Sequence, residues 1–530
     1  MRKPQVRRVK SALFSASVAL ISALAYSAAA ENPSAAGVLP GRNYADDAAA
    51  PAPRPQGLKW LPDLRWRDGP SLRIPKDLLA QTSEPSAAVA AKPAFTPIQE
   101  FGARKSYAIP AMEIFGFDVL LNRYNHRFSG STDYDVSMSS IRNNLRGSWV
   151  TDNDPYKVNQ FGHPYQGSMY HGFARSAGLS YWESAAYTFA GSAAWEIAGE
   201  QTKPAKNDQI ASGIAGSFLG EALFRMSSLV LEHADGMPKF WREVAAAAIS
   251  PSTGFNRMAF GDRFDPVFSS NGAAYYSRLQ VGLNATTRNV QGTSSALKRN
   301  ELLVDYSMEY GLPGNAGYEY TRPFDYFAFQ ATASSANVFE NIQTRGLLVG
   351  KSYEKGRDTR GVWGLYGSFD YISPQTYRIS TTALSLGTTA QRWLTQSIAL
   401  QGSALLGAGY SAVGTLHGAG EGDYHYGFTP QALLAMRLIF SDKAALDVTG
   451  REYFVSRVGS GGTGGNDNIA RADVSFTVRV HKQHAIAVKY LWNRRDASYP
   501  FLGDRTQERS TIGIFYSYIG QDKFGAIDWR

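Results

Sequence analysis

Glu196 and Glu200 stand four residues apart, and so do Glu221 and Arg225. On a helix that spacing is about one turn, so each pair shares a face and both pairs can meet along one seam. The first reading is a partly buried ion-pair network that holds a helical hairpin with few large apolar contacts. The second is a polar pocket in which a carboxylate acts as base or ligand, with His163 close by. His163 directly precedes Pro164, where a helix would start, and a lone histidine there is more often structural than catalytic. The candidate polar cluster is therefore His163, Glu196, Glu200, Glu221 and Arg225, with no catalytic role assigned. No cofactor or metal is expected. His163 and His171 are eight residues apart, a long reach for one ion, and there is no His-Glu-x-x-His element.

Helices must position these groups. From 155 to 250 the apolar residues recur at helical period. The pattern predicts a helix from Pro164 to about 177, a second over 180–199, a third over 208–233 capped by Asp208, and a fourth over 238–249. Gly213, Gly216 and Gly220 fall inside the third helix, where each costs about 1 kcal/mol relative to alanine. Their spacing puts them on one face, which predicts close approach by a neighbour, expected to be the small-residue face around Ser184, Ala185, Gly191 and Ser192. Glu221 and Arg225 near the middle of this helix argue against a membrane span. Residues 111–123 and part of 134–150 read as strands, which would either extend the sheet or belong to the helical domain.

From about residue 271 the period switches to two. Leu302, Val304, Tyr306, Met308 and Tyr310 alternate with Leu303, Asp305, Ser307 and Glu309; Val474, Phe476, Val478 and Val480 alternate with Asp473, Ser475, Thr477 and Arg479. Long alternating runs fit tilted membrane strands better than a soluble sandwich. About twelve such runs follow, separated at the C-terminal end by alternately short and long connections, the asymmetry of an outer-membrane barrel. The fold class is thus mainly β, a transmembrane antiparallel β-barrel of about twelve strands, fourteen if 111–150 adds a pair, with an N-terminal α-helical domain. The last run, Thr511-Ile-Gly513-Ile-Phe-Tyr516-Ser-Tyr518, resembles the closing-strand signal read by the barrel-assembly machinery of the Gram-negative outer membrane. Mixed lumenal charge at Asp305, Glu309, Asp447, Arg451, Asp473, Arg479 and Lys489 predicts internal salt bridges and a narrow or filled interior.

The chain opens with Arg2, Lys3, Arg7, Arg8 and Lys10, an apolar run from Ala12 to Ala25, and Ala28-Ala29-Ala30, the pattern of a cleavable signal peptide. Its loss near Ala30 takes the formal charge from +9 to +4, which makes nucleic acid an unexpected partner. The absence of cysteine excludes disulfides and a lipoprotein attachment site. Residues 31–104 are rich in Pro and Ala and read as a disordered periplasmic tether through which a periplasmic partner is expected to bind; its apolar island at Leu58–Trp66 either docks on the folded part or is a sticky disordered patch. The expected organisation is a signal peptide at 1–30, tether at 31–104, helical domain at 105–265 and barrel at 266–530. The helical domain is expected at the periplasmic mouth or entering the lumen from it.

Asn159-Gln-Phe-Gly-His163-Pro164-Tyr165-Gln-Gly167-Ser168, then Ala174-Arg175-Ser176-Ala-Gly178, Ser192-Ala-Ala-Trp195-Glu196, Asn207-Asp208 and Gly220-Glu221-Ala-Leu-Phe-Arg225 resemble a bacterial family catalogued as domain of unknown function 3943, over about residues 105–260. The resemblance implies an exported envelope protein with a strand-rich remainder and no established activity. It also implies that His163, Trp195, Glu196, Glu221 and Arg225 belong to the family's shared core. The functional expectation is a scaffold or a gated or plugged conduit of the cell envelope, in contact with outer-membrane lipid. The alternative is an outer-membrane enzyme acting on envelope lipid or glycan. A lipid-facing Ser–His pair finds no support: His481 and His484 flank a periplasmic turn, His417 lies in a loop, and His425 takes lumenal parity.

Overall fold

A computed structural model describes residues 105–529 apart from 153, 234–235, 291–298, 316, 415–423, 458–464 and 501–502. The expected signal peptide, the tether and His417 lie outside the described residues.

Twelve antiparallel strands close into a barrel, each paired with its sequence neighbours and β1 with β12. They are β1 (Tyr275–Val290), β2 (Asn300–Tyr310), β3 (Phe327–Ser334), β4 (Asn341–Lys355), β5 (Thr359–Ile372) and β6 (Ile379–Trp393), followed by β7 (Ile398–Gly414), β8 (Tyr424–Phe440), β9 (Ala444–Val455), β10 (Asn466–His481), β11 (His484–Tyr499) and β12 (Gly503–Ile519). Closure leaves no unpaired edge, the condition for a sheet in lipid. Connections 356–358, 394–397, 441–443 and 482–483 are short and share one end of the barrel. The opposite end carries most of the longer ones. The exception is 311–326, a long segment at the short-turn end that reaches back to the helices.

Parity decides what faces the lumen. Arg278 on β1 meets Asp447 on β9 at 2.7 Å, Arg437 on β8 meets Glu309 on β2 at 2.8 Å, and Lys489 on β11 meets Asp305 on β2 at 3.3 Å. Charged side chains from distant strands can meet only inside. Alternate positions therefore point outward, and on β1, β6, β11 and β12 they expose Leu279, Val281, Leu283, Leu384, Leu386, Ile486, Val488, Ile512 and Ile514. This is an apolar belt of outer-membrane type. In the closing strand Thr511, Gly513 and Ser517 face inward, while Tyr516 and Tyr518 are 49% and 39% exposed on the belt.

The helices are α1 (Ala108–Phe128), α2 (Met138–Arg146), α3 (His163–Ser176), α4 (Tyr181–Ala198), α5 (Lys206–Ile210), α6 (Gly216–His233), α7 (Lys239–Ile249) and α8 (Pro251–Phe260). Ser180 caps α4 reciprocally with Glu183. Residues 111–123, expected as a strand, lie within a helix because Pro110, Ile114, Phe117, Leu121 and Asn125 form one buried stripe at helical spacing. Residues 138–146 are likewise helical. The barrel therefore has no additional pair of strands. Asp208 is not a cap either; the helix begins at Lys206, and Asp208 is buried in its first turn.

The helical domain occupies neither the mouth nor the lumen. Gln343 pairs with Asp370 in register, and Asp370 contacts lumenal Arg451, so Phe369 and Tyr371 point outward. Both are fully covered, by helical residues including Phe161, Phe218 and Tyr156. Phe161 lies 5.8 Å from Tyr371 ring to ring, and Phe218 lies over Gly367, where a side chain would have no room. Met308, Tyr310, Phe327 and Phe329, also outward by register, join the same buried cluster. The helices thus lie against the outer wall of the barrel. From Asn207, bonded to Tyr426 near the long-loop end, to His233, edge-on to Tyr275 at the short-turn end, the run α5–α6 follows that wall.

Candidate functional site

Close approach of α3 to α6 sets up the site. A Cβ at Gly216 would meet the Gly167 Cα at 2.6 Å, and one at Gly220 would meet the His171 Cβ at 2.8 Å. The glycine face therefore meets α3 and not the small residues of α4; only Gly213 looks toward α4, at Phe189. Polar groups are held face to face in two separate clusters, one joining α3 to α6 and the other joining α3 to α4 and α5.

One cluster surrounds Glu221, which is fully buried. It accepts bonds from Arg175 Nε at 2.7 Å, Arg175 Nη2 at 3.1 Å and Arg225 Nε at 2.8 Å, and His171 Nε2 lies 3.1 Å away. Arg225 continues to Asp325 at 2.9 Å and donates to the Pro323 carbonyl, both in the long segment before β3. Every charge in this cluster meets an opposite one, and the cluster ties the helices to the barrel.

The second cluster gathers His163, Glu196 and Asp208, which are 4%, 3% and 2% exposed. One ligand-type atom from each lies within 4.8 Å of the others. His163 Nε2 faces Asp208 Oδ2 at 3.6 Å, and its Nδ1 lies 3.2 Å from Ser212 Oγ. Glu196 Oε2 accepts from the Ala205 amide at 2.8 Å, whereas Oε1 is buried without a hydrogen-bond partner. Asp208 Oδ1 accepts from Asn207 Nδ2 at 2.8 Å. Asn207 also reaches Asp152 and Tyr426, and Asn159 reaches Asp152 and Tyr424, so two tyrosines from the barrel's outer wall close the site. In the loop before α3, burial together with Asp152 and Asp133 pushes the Asp154 carboxyl up to about 7.

Two π-helical turns frame this cluster. Val158–Gly162 runs straight into His163, and Ala211–Ala215 carries Ser212 three residues after the first turn that holds Asp208. Such wide turns recur at functional sites because they re-aim side chains out of helical register.

The candidate residues therefore separate. His163 and Glu196 come together; Glu221 and Arg225 lie in the other cluster. Glu200, just beyond α4, accepts from Trp195 Nε1 at 2.9 Å and from Thr202 at 3.2 Å. Asp208, Asn207, Ser212, Asp152, Arg175, His171 and Asp325 were not among the expected site residues. His425 sits inside the barrel, 3.1 Å from Asp467, which also meets Arg495 at 2.6 Å and Tyr499 at 2.9 Å.

Residues 148–252 match the model of a domain of unknown function, DUF3943, a span that contains both clusters. No curated protein matches the chain. Solved structures similar to it include the NanC porin (8% identical, 44% of this chain and 98% of that one, TM-score 0.26) and the outer-membrane channel DcaP of Acinetobacter baumannii (11%, 47% and 98%, 0.22). An anion-selective porin from Comamonas acidovorans is also similar (8%, 47% and 99%, 0.22).

Proposed function

We propose that this chain is a filled outer-membrane barrel that serves as a scaffold, its outer wall holding the helical domain in place. The observation that carries the reading is the lumen. Arg437 bridges Glu309 and Asp447, Lys489 bridges Asp305 and Asp473, and Arg451 faces Asp370. Among the described residues, the space between these pairs includes a cavity of about 110 Å³ and a smaller one of about 20 Å³ beside Asp370 and Arg451. At the short-turn end, Phe524 and Ile527 of the C-terminal tail are buried among Tyr276, Leu312, Ala399 and Ile439, with Gln401 bonded to the Gly525 carbonyl. At the other end Ile372, Tyr377, Ile379, Val413 and Tyr453 form an inward apolar cluster.

The wall supports the same reading. Aromatic side chains that would otherwise face lipid are buried under helices, and the far sides of α1 and α4 expose Met112, Phe115, Val119, Trp182 and Phe189. The helical domain would then share the membrane with the barrel, the tether would hang in the periplasm after signal-peptide removal near Ala30, and the assembly machinery would insert the barrel through its closing strand. The test is conductance of the full-length protein in planar bilayers. The wild type should show no steady ohmic current, and Arg437→Ala with Lys489→Ala should raise it. Sustained porin-like conductance of the wild type would overturn the filled-scaffold reading.

A further inference from the structure

We propose that His163, Glu196 and Asp208 bind one divalent transition-metal ion, of the Zn²⁺ class. In each residue one atom is held by its surroundings; the other turns toward a fellow member of the cluster in His163 and Asp208 and has no hydrogen-bond partner in Glu196. His163 has Nδ1 beside Ser212 and Nε2 toward Asp208. Glu196 has Oε2 on the Ala205 amide and Oε1 without a partner. Asp208 has Oδ1 on Asn207 and Oδ2 toward His163. This is the arrangement of a metal site whose ligands are oriented by outer hydrogen bonds. Each donor side chain is more than nine-tenths buried, and a partnerless carboxylate oxygen in such a place is costly unless a cation or a proton meets it.

Spacing and chemistry select the ion class. Around a tetrahedral ion with bonds of about 2.0–2.2 Å, neighbouring ligand atoms lie roughly 3.3–3.6 Å apart. The His163–Asp208 separation is 3.6 Å, so that edge already has the right length, and one ligand atom of each of the three residues lies within 4.8 Å of the others. An imidazole with two carboxylates favours zinc-like ions over Ca²⁺ and Mg²⁺, which take mainly oxygen. Three protein ligands leave a fourth position for water.

The other buried clusters lack this character. Glu221 is already met by two guanidinium groups, and Asp467 by Arg495. Among the described residues, His163, Glu196 and Asp208 are the one grouping of three or more His or carboxylate groups with converging ligand atoms. One π-helical turn leads directly into His163, and the other follows Asp208 and carries Ser212, the neighbour of His163 Nδ1.

The experiment uses full-length protein folded in detergent, stripped with a chelator, and titrated with ZnCl₂ by calorimetry with elemental analysis. CoCl₂ serves as a spectroscopic probe. The wild type should retain one equivalent of Zn²⁺ and show the visible absorption of four-coordinate Co²⁺. Asp208→Asn and Glu196→Gln should lose that equivalent while keeping heat-modifiable migration, the sign of an intact barrel. Ser212→Ala, which removes only an outer hydrogen bond, should weaken Zn²⁺ by about 10- to 100-fold. Should the ligand variants fail to fold, the wild type and Ser212→Ala still decide the matter. No stoichiometric Zn²⁺ or Co²⁺ on the wild type overturns the proposal, and so does equal binding by Ser212→Ala or by folded Asp208→Asn.

Discussion

Replacing Glu221 by glutamine tests whether the buried cluster holds the helical domain together. The change keeps the shape of the side chain and removes the charge shared by two guanidinium groups. In the native arrangement Glu221 meets Arg175 at 2.7 Å and Arg225 at 2.8 Å with no exposure to solvent. Arg225 keeps Asp325, so the loss falls hardest on Arg175, whose guanidinium lies against the rings of Phe224 and Phe268. Removing one member of such a buried pair costs about 3–5 kcal/mol. A domain's total stability is about 5–15 kcal/mol, so a large part of the margin would go. The assay is proteolysis in residues 105–260 across a denaturant series, with heat-modifiable migration reporting separately on the barrel. A drop in the helical domain's midpoint is expected while the barrel still closes. Replacing Glu221, Arg175, Arg225 and Asp325 together by apolar residues of similar volume should recover much of the loss, because it leaves no charge buried alone. A Glu221→Gln midpoint within about 0.5 kcal/mol of wild type would refute the network's structural role, since that is the scale of an ordinary surface change.

Gly216→Leu should separate α3 from α6, because its side chain would enter the space of the Gly167 backbone; an overpacking cost of about 1–3 kcal/mol should appear as faster proteolysis of 105–260, and unchanged resistance would contradict the close approach. Tyr516→Asp with Tyr518→Asp should impair insertion, since both rings lie on the apolar belt, where Arg or Lys at mid-depth costs about 2–4 kcal/mol and Asp less; normal yield of heat-modifiable barrel would count against that belt.

The strands were legible because a residue in a barrel wall has only two environments, and period two records them directly. The four helices after Pro164 were legible from their caps and apolar period, to within a residue or two. Residues 111–123 read as a strand because Phe115, Phe117, Val119 and Leu121 alternate locally; the longer stripe Pro110, Ile114, Phe117, Leu121 carries the helical signal. The docking of the helices was hidden for a different reason. Outward strand residues are apolar whether lipid or protein covers them, so Phe369 and Tyr371 look the same in either case. The second cluster was half legible. His163 and Glu196 stood out, but Asp208 resembled a cap, and π-helical turns have no sequence rule that would shift it into the site.

The absence of native cysteine makes the position of the helical domain on the outer wall of the barrel directly testable. Asn159 bonds Tyr424, which points outward at 2.8 Å, while the next residue, His425, points into the lumen toward Asp467. Two double variants, Asn159→Cys with Tyr424→Cys and Asn159→Cys with His425→Cys, should be treated in intact outer membranes with a short bis-maleimide linker. Cross-linking of the first pair and not the second is the predicted result. Efficient cross-linking through position 425 with none through 424 would place the helices inside the barrel and contradict the account.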